Sequence, residues 1–160
     1  MLRYGIVAKS GRKPIRLLGH QHYLFRSFMK LASIRLIAAD IKAMVAFYEM
    51  VTCTPARWLA PVFAEIVTSS ATLAIGGRET VGLFMEGSAE PAQNRTAILE
   101  FQVTDIDAEY ERLKEHVAVF RGIQRMPWGN RTFQFRDPEG TLVAFYMPAT
   151  DEARERFASR

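Results

Sequence analysis

The chain carries one order of elements twice, and that duplication constrains its fold more than any other feature. Residues 31–38 alternate, with Ile34 and Leu36 on one face and Ser33, Arg35 and Ile37 on the other, the period of a half-buried strand. Asp40 stands where it can cap a helix whose apolar residues Ile41, Met44, Val45, Tyr48 and Val51 fall at helical spacing. Strand-like runs follow at 62–68, 71–75 and 80–86, with Gly76-Gly77 reading as a hairpin turn between the last two. Residues 87–95, small and polar with Pro91 among them, read as a linker.

The order then begins again. Residues 96–103 form a strand pattern with Leu99, Phe101 and Val103 on one face, and Asp105 caps a helix carrying Ile106, Tyr110, Leu113 and Val117. Strands are expected at 117–121, 131–136 and 141–147, the last two joined by the turn Asp137-Pro138-Glu139-Gly140. Matching cap to cap, Asp40 to Asp105, gives an offset of 65. Matching Val81-Gly82-Leu83-Phe84 to Val143-Ala144-Phe145-Tyr146 gives 62, so the second copy reads as three residues shorter. The expected class is α+β: tandem βαβββ modules at 30–86 and 96–148, with a helical tail at 149–160.

Composition narrows the function. The 160 residues are 49% hydrophobic and 24% charged, which excludes a disordered or collagen-like chain. No stretch approaches the ~18–20 consecutive apolar residues that span a bilayer, so no membrane role is expected. The net charge of +4 hints at nucleic acid, but six basic groups and no acid lie in residues 1–28, leaving 15 basic against 17 acidic groups elsewhere. The repeat is thus nearly neutral, and no nucleic-acid partner is expected. Residues 1–28 read as a basic arm outside the repeat, a floppy extension or translated upstream sequence, with targeting as the alternative. His20 and His22 lack a third ligand nearby. A single cysteine, Cys53, cannot form an internal bridge, which fits a reducing, cytoplasmic setting.

Three segments carry a resemblance: Asp40-Ile41 with Phe47-Tyr48, Phe101-Gln102-Val103-Thr104-Asp105-Ile106-Asp107, and Asp137-Pro138-Glu139-Gly140-Thr141-Leu142-Val143. In this order, on a duplicated βαβββ pattern, they resemble the vicinal oxygen chelate superfamily, which includes glyoxalase I, extradiol dioxygenases, fosfomycin-resistance enzymes and bleomycin-resistance proteins. The resemblance covers about residues 30–148. It implies curved modules whose sheets form a cup with the helices outside, and, in metal-dependent members, His and carboxylate ligands on the first and last strand of each module. Those positions map onto Ser33, Ile98, Ala144 and Gly82, which offer one weak donor between them, so neither metal nor other cofactor is expected. The family commonly has Gly after the first helix, where this chain has Cys53.

By strand alternation, residues sharing parity with those positions point into the cup: Arg35, Thr80, Phe84, Glu100, Gln102, Thr132, Gln134 and Tyr146. Ile34, Leu36, Leu83, Phe101 and Phe145 then pack against helices. Trp58 and Trp128, in Pro-flanked segments, are candidates for stacking on a planar ligand at the mouth, or for plain packing. Arg35 and Glu100 are equivalent by the offset of 65; they face each other as an ion pair, or Arg35 grips a ligand carboxylate or phenolate while Glu100 accepts from the ligand or serves as general base. Cys53, the Ser69-Ser70 pair and His116 form no nucleophile triad and read as inert or structural. The expectation is a homodimer that binds a small molecule without metal, as bleomycin-resistance proteins do; the alternatives are an enzyme of lyase, isomerase or hydrolase type using Glu100 and Arg35 in the cup, a metal-dependent glyoxalase or dioxygenase, or a structural dimer with a vestigial cavity.

Overall fold

A computed structural model describes residues 30–158, and from Leu31 onward the chain is one compact unit. The expectations for residues 1–28, with His20 and His22, lie outside the described residues. The first module runs β1 (Ser33–Ala38), α1 (Ile41–Thr52), β2 (Arg57–Ala60), β3 (Phe63–Val67) and β4 (Thr72–Gly77), with sheet order β1-β4-β3-β2. The second runs β5 (Ile98–Gln102), α2 (Ile106–Leu113), β6 (Ala118–Arg125), β7 (Asn130–Arg136) and β8 (Leu142–Pro148), in the matching order β5-β8-β7-β6. A third helix, α3 (Asp151–Ala158), closes the described chain. In each sheet the first strand pairs parallel with the last, and the remaining pairs are antiparallel. The α+β class and the twofold βαβββ order hold.

Both caps form as their residue types dictate. The Asp40 side chain accepts from the Ala43 N–H, and that of Asp105 from Asp107 and Ala108. The α1 helix ends at Cys53 with φ 50°, the left-handed conformation in which glycine is usual. One core serves both modules. Leu36, Ile66 and Ile75 from the first sheet join Phe133, Phe135, Val143 and Phe145 from the second, around Met44, Tyr48, Ile106 and Leu113 of the helices. The Phe47 ring lies 6.2 Å from Phe135, and Tyr48 donates to Asp137, so α1 packs against the second module as well as its own.

The acidic turn at 137–140 provides much of this union. Asp137 Oδ1 accepts from Glu139 and Thr141, and Gly140 takes φ +84°. Glu139 Oε1 accepts from the Ala39 N–H at 2.5 Å, and its Oε2 from Ala92 in the linker at 3.0 Å. Arg112 of α2 donates to the carbonyls of Met50 and Val51, the last turn of α1.

The first module departs from expectation at its last strand. Gly76-Gly77 is no hairpin turn: both glycines lie in β4, paired with Ile37 and Ala38, and 78–83 form a 3-10 turn where a strand was expected. A Cβ at Gly76 would stand 2.7 Å from Thr80 Oγ1, so glycine serves close approach, not chain reversal. The strand at 57–60, carrying Trp58, is an addition. Register corrects the repeat: Arg35 pairs with Ala74 and Glu100 with Ala144, so Ala74, not Gly82, is the counterpart of Ala144. Leu83, expected to pack against a helix, is 82% exposed because the 3-10 turn carries it off the sheet.

Candidate functional site

Each sheet buries one face under the helices α1 and α2, and its other face points away from them. In the first sheet, register sets Arg35, Ala74, Glu65 and Arg57 in one row on the open face; in the second, the matching row is Glu100, Ala144, Gln134 and Arg121. Leu36 and Phe145, on the opposite face, are buried as alternation requires, and Phe101 packs against the core. Ile34 shares that parity but is 40% exposed.

Arg35 and Glu100 form no ion pair. The Arg35 guanidinium lies between two rings, 4.8 Å from the centroid of Phe63 and 4.8 Å from that of Phe84. The ring quadrupoles take the role expected of the carboxylate, at about 0.5–1 kcal/mol per contact for an exposed cation. Phe84 thus meets Arg35 although it follows the 3-10 turn and not a strand. Arg35 also borders a cavity of about 260 Å³ shared with Leu99, Asn94 and Glu139.

Glu100 lies in a different neighbourhood. With Gln102 and Tyr146 it lines a cavity of about 660 Å³ that reaches the ends of α1 and α2; with Trp128, Asn130, Tyr146, Arg156 and Phe157 it lines one of about 330 Å³. The Tyr146 hydroxyl stands 3.5 Å from Gln102 Oε1. Among the described residues Glu100 has neither hydrogen bond nor ion pair; the ion pairs there are Glu109–Arg112, Glu111–Lys114, Asp107–Arg131 and Asp151–Arg154.

Of the remaining candidates, Trp128 is 57% exposed at the mouth of the smaller Glu100 cavity, whereas Trp58, on the outer strand β2, borders none of the cavities described. Gln134 shares the row of Glu100 but borders none of them either. Thr80 is buried and donates to the Gly77 carbonyl, and buried Thr132 donates to that of Phe145, so both hydroxyls are taken up by backbone.

The residues missed from sequence are Phe63, Asn130 and the pair Arg156 and Phe157. The Phe157 ring lies 5.2 Å from Tyr146, and Arg156 donates to the Trp128 carbonyl at 2.8 Å, which brings α3 over the open face of the second sheet instead of the helix side. Only the alternation of β7, which sets Asn130 on the side of Thr132, could have signalled one of them.

The residues do not fit a metal. Ser33, Ala74, Ile98 and Ala144 together offer one hydroxyl, and no group of three or more His, Cys, Asp or Glu among the described residues could hold an ion. No described helix is long and apolar enough to cross a membrane.

Paired βαβββ modules with a shared core and an open face on each sheet define the glyoxalase-type fold. The sequence profile of the Glyoxalase/Bleomycin resistance protein/Dioxygenase superfamily matches residues 30–145, and the chain belongs to that superfamily. A Bacillus subtilis (strain 168) protein, the uncharacterized YraH, is 29% identical over 130 residues, 74% of this chain and 98% of that one. A crystal structure of a protein of unknown function from Agrobacterium tumefaciens str. C58 is similar with a TM-score of 0.65 and 25% identity, over 74% of this chain and 94% of that one. A glyoxalase/bleomycin resistance protein/dioxygenase from Nocardioides shares the fold with a TM-score of 0.67 and 21% identity, over 80% and 89% of the two chains.

Proposed function

We propose that the protein binds a small organic molecule on the open faces of its sheets, without a metal, in the manner expected of bleomycin-resistance-type members of its superfamily. The observation that supports this is the donor set: where metal-dependent relatives would place ligands, the chain has Ser33, Ala74, Ile98 and Ala144, while the surrounding face keeps Arg35, Phe84, Glu100, Gln102, Trp128, Gln134 and Tyr146. Apolar walls with a few placed polar groups are the usual lining of a small-molecule site. In this reading Arg35, held by the rings of Phe63 and Phe84, takes an anionic group of the ligand.

A second reading is supported by Glu100 alone. A carboxylate with no partner among the described residues, at a cavity wall, has the placement of a general base, and the protein would then be an enzyme acting on a bound substrate without metal. Both readings place it in the cytoplasm as a homodimer. Native mass spectrometry of freshly purified protein tests the binding reading: a small organic adduct that weakens in Arg35→Ala supports it, and bare protein after purification from several growth conditions removes it. Light scattering at twice the chain mass supports the dimer.

A further inference from the structure

The inner edges of the two sheets are unpaired. In the first sheet β1 pairs only with β4, and in the second β5 pairs only with β8. Thr72 donates to the Ala32 carbonyl and Val103 to that of Tyr146, which fixes the phase of each ladder. The N–H and C=O of Ser33, Arg35 and Ile37 therefore point away from β4, and those of Ile98, Glu100 and Gln102 away from β8. Among the described residues, none of these groups has a hydrogen-bond partner.

The two edges border common space. Arg35, Leu36 and Ile37 line the cavity of about 260 Å³ together with Ala97 and Leu99, and Ile34 lines a second of about 130 Å³ together with Ile98 and Glu100. Side chains cover the backbone just beyond this slot. Glu139 accepts from Ala39, the next outward position after Ile37, and Asn94 bonds both the N–H and the C=O of Ala97. The slot itself keeps its apolar walls open, with Ile34 40% and Ile98 48% exposed. The outer edges are managed differently: β2 is four residues long with a register shift, and β6 carries two such shifts, which spoil an edge as a template. By contrast β1 and β5 run in unbroken register and contain no proline. Regular, unpaired edges of this kind accept another strand.

Both walls of the slot belong to one chain, so its occupant must be free along both of its own edges. That describes a single extended segment and not the sheet edge of a second copy. We propose that an extended peptide segment of a partner protein inserts between β1 and β5, its backbone hydrogen-bonded to both edges. Alternation sets every second side chain of the segment on the helix side, against Leu36, Met44 and Leu99, where it is apolar, and the others on the open side with Arg35 and Glu100, where they are polar. Three outward residues on each edge match a segment of about five residues. The inference concerns backbone edges and is independent of the open-face reading above.

Nuclear magnetic resonance of the full chain titrated with acetyl-Thr-Leu-Thr-Val-Thr-amide tests it through amide hydrogen exchange. Without peptide, the outward N–H groups of Arg35, Ile37, Glu100 and Gln102 should exchange at least about tenfold faster than the ladder-bonded N–H groups of Leu36 and Phe101; saturating peptide should slow the outward ones by about tenfold or more. N-methylation of the peptide at Leu or at the central Thr removes a donor to one edge or to the other, and each should weaken binding by at least about tenfold. Outward groups already slow in the protein alone, slowing confined to one edge, binding that leaves their exchange unchanged, an N-methylated peptide that binds as well as its parent, or no binding at all overturns the proposal.

Discussion

The hydroxyl of Tyr48 donates to Oδ2 of Asp137 at 2.9 Å, joining helix α1 of the first module to the β7–β8 turn of the second across 89 positions. Both groups are buried, and the bond closes a network in which the other Asp137 oxygen shapes its own turn. Tyr48→Phe should therefore destabilise the protein by about 1–3 kcal/mol, because it strands a buried carboxylate oxygen. Urea titration at neutral pH measures it; a change near zero would mean water replaces the hydroxyl.

The same contact predicts alkaline sensitivity. Burial, and then the charge and hydrogen bond of Asp137, hold the Tyr48 phenol well above its usual range. In the unfolded chain the phenol loses its proton near pH ~10, while the folded protein keeps it, so the folded state binds more protons and stability falls as pH rises from there. Wild type should lose more stability than Tyr48→Phe between about pH 9 and 11. Parallel slopes in this window would show that the phenol titrates normally.

Arg112 joins the helices by a fork: Nη1 to the Met50 carbonyl and Nη2 to that of Val51, each at 2.8 Å, with Nε on Glu109 at 3.0 Å. Because the geometry needs two parallel donors, Arg112→Lys should lose nearly as much stability as Arg112→Met, about 1–2 kcal/mol in each case. Full rescue by lysine in thermal melts would reduce the role to charge.

Much of the fold is legible because its signals are local. Asp40 and Asp105 cap helices from their own side chains, and alternation in 33–38 and 98–102 sorts the buried face from the open one. Gly76-Gly77 misleads because a glycine pair that makes a turn and one that admits a close neighbour look alike in sequence, and only the packing of Thr80 separates them. That one misreading shifts the repeat: β1 to β5 spans 65 positions but β4 to β8 spans 70, so the second module is longer between these strands, not shorter. The site is less legible. Arg35 is legible from its offset of 65 to Glu100, yet its partners Phe63 and Phe84 come from a strand and a turn whose mutual approach is tertiary. The contacts of α3 with Trp128 and Tyr146 are likewise set by a chain reversal that periodicity does not encode.

Cys53, at φ 50°, occupies a conformation costing a side-chain-bearing residue about 1–2 kcal/mol, and its only described bond is a long contact of 3.8 Å from Sγ to the Met50 carbonyl. Cys53→Gly relieves the strain at some cost in unfolded-chain entropy, so a net gain of up to about 1 kcal/mol is expected. A loss in chemical denaturation would mean that the thiol packs more usefully than its exposure indicates.

Gly76→Ala should do the reverse. Its Cβ would press on Thr80 Oγ1, which is fixed by a 2.7 Å bond to the Gly77 carbonyl, and overpacking of this kind costs about 1–3 kcal/mol. Gly76→Ala combined with Thr80→Ala should recover most of that loss. Failure to recover would place the strain in the backbone of β4.

Native mass spectrometry coupled to elemental analysis of the same freshly purified sample tests the proposed ligand capture without metal most directly. The expected result is a small organic adduct that survives EDTA treatment, with no stoichiometric Zn, Ni, Mn or Fe. About one equivalent of such a metal, removed by EDTA together with the adduct, would contradict it.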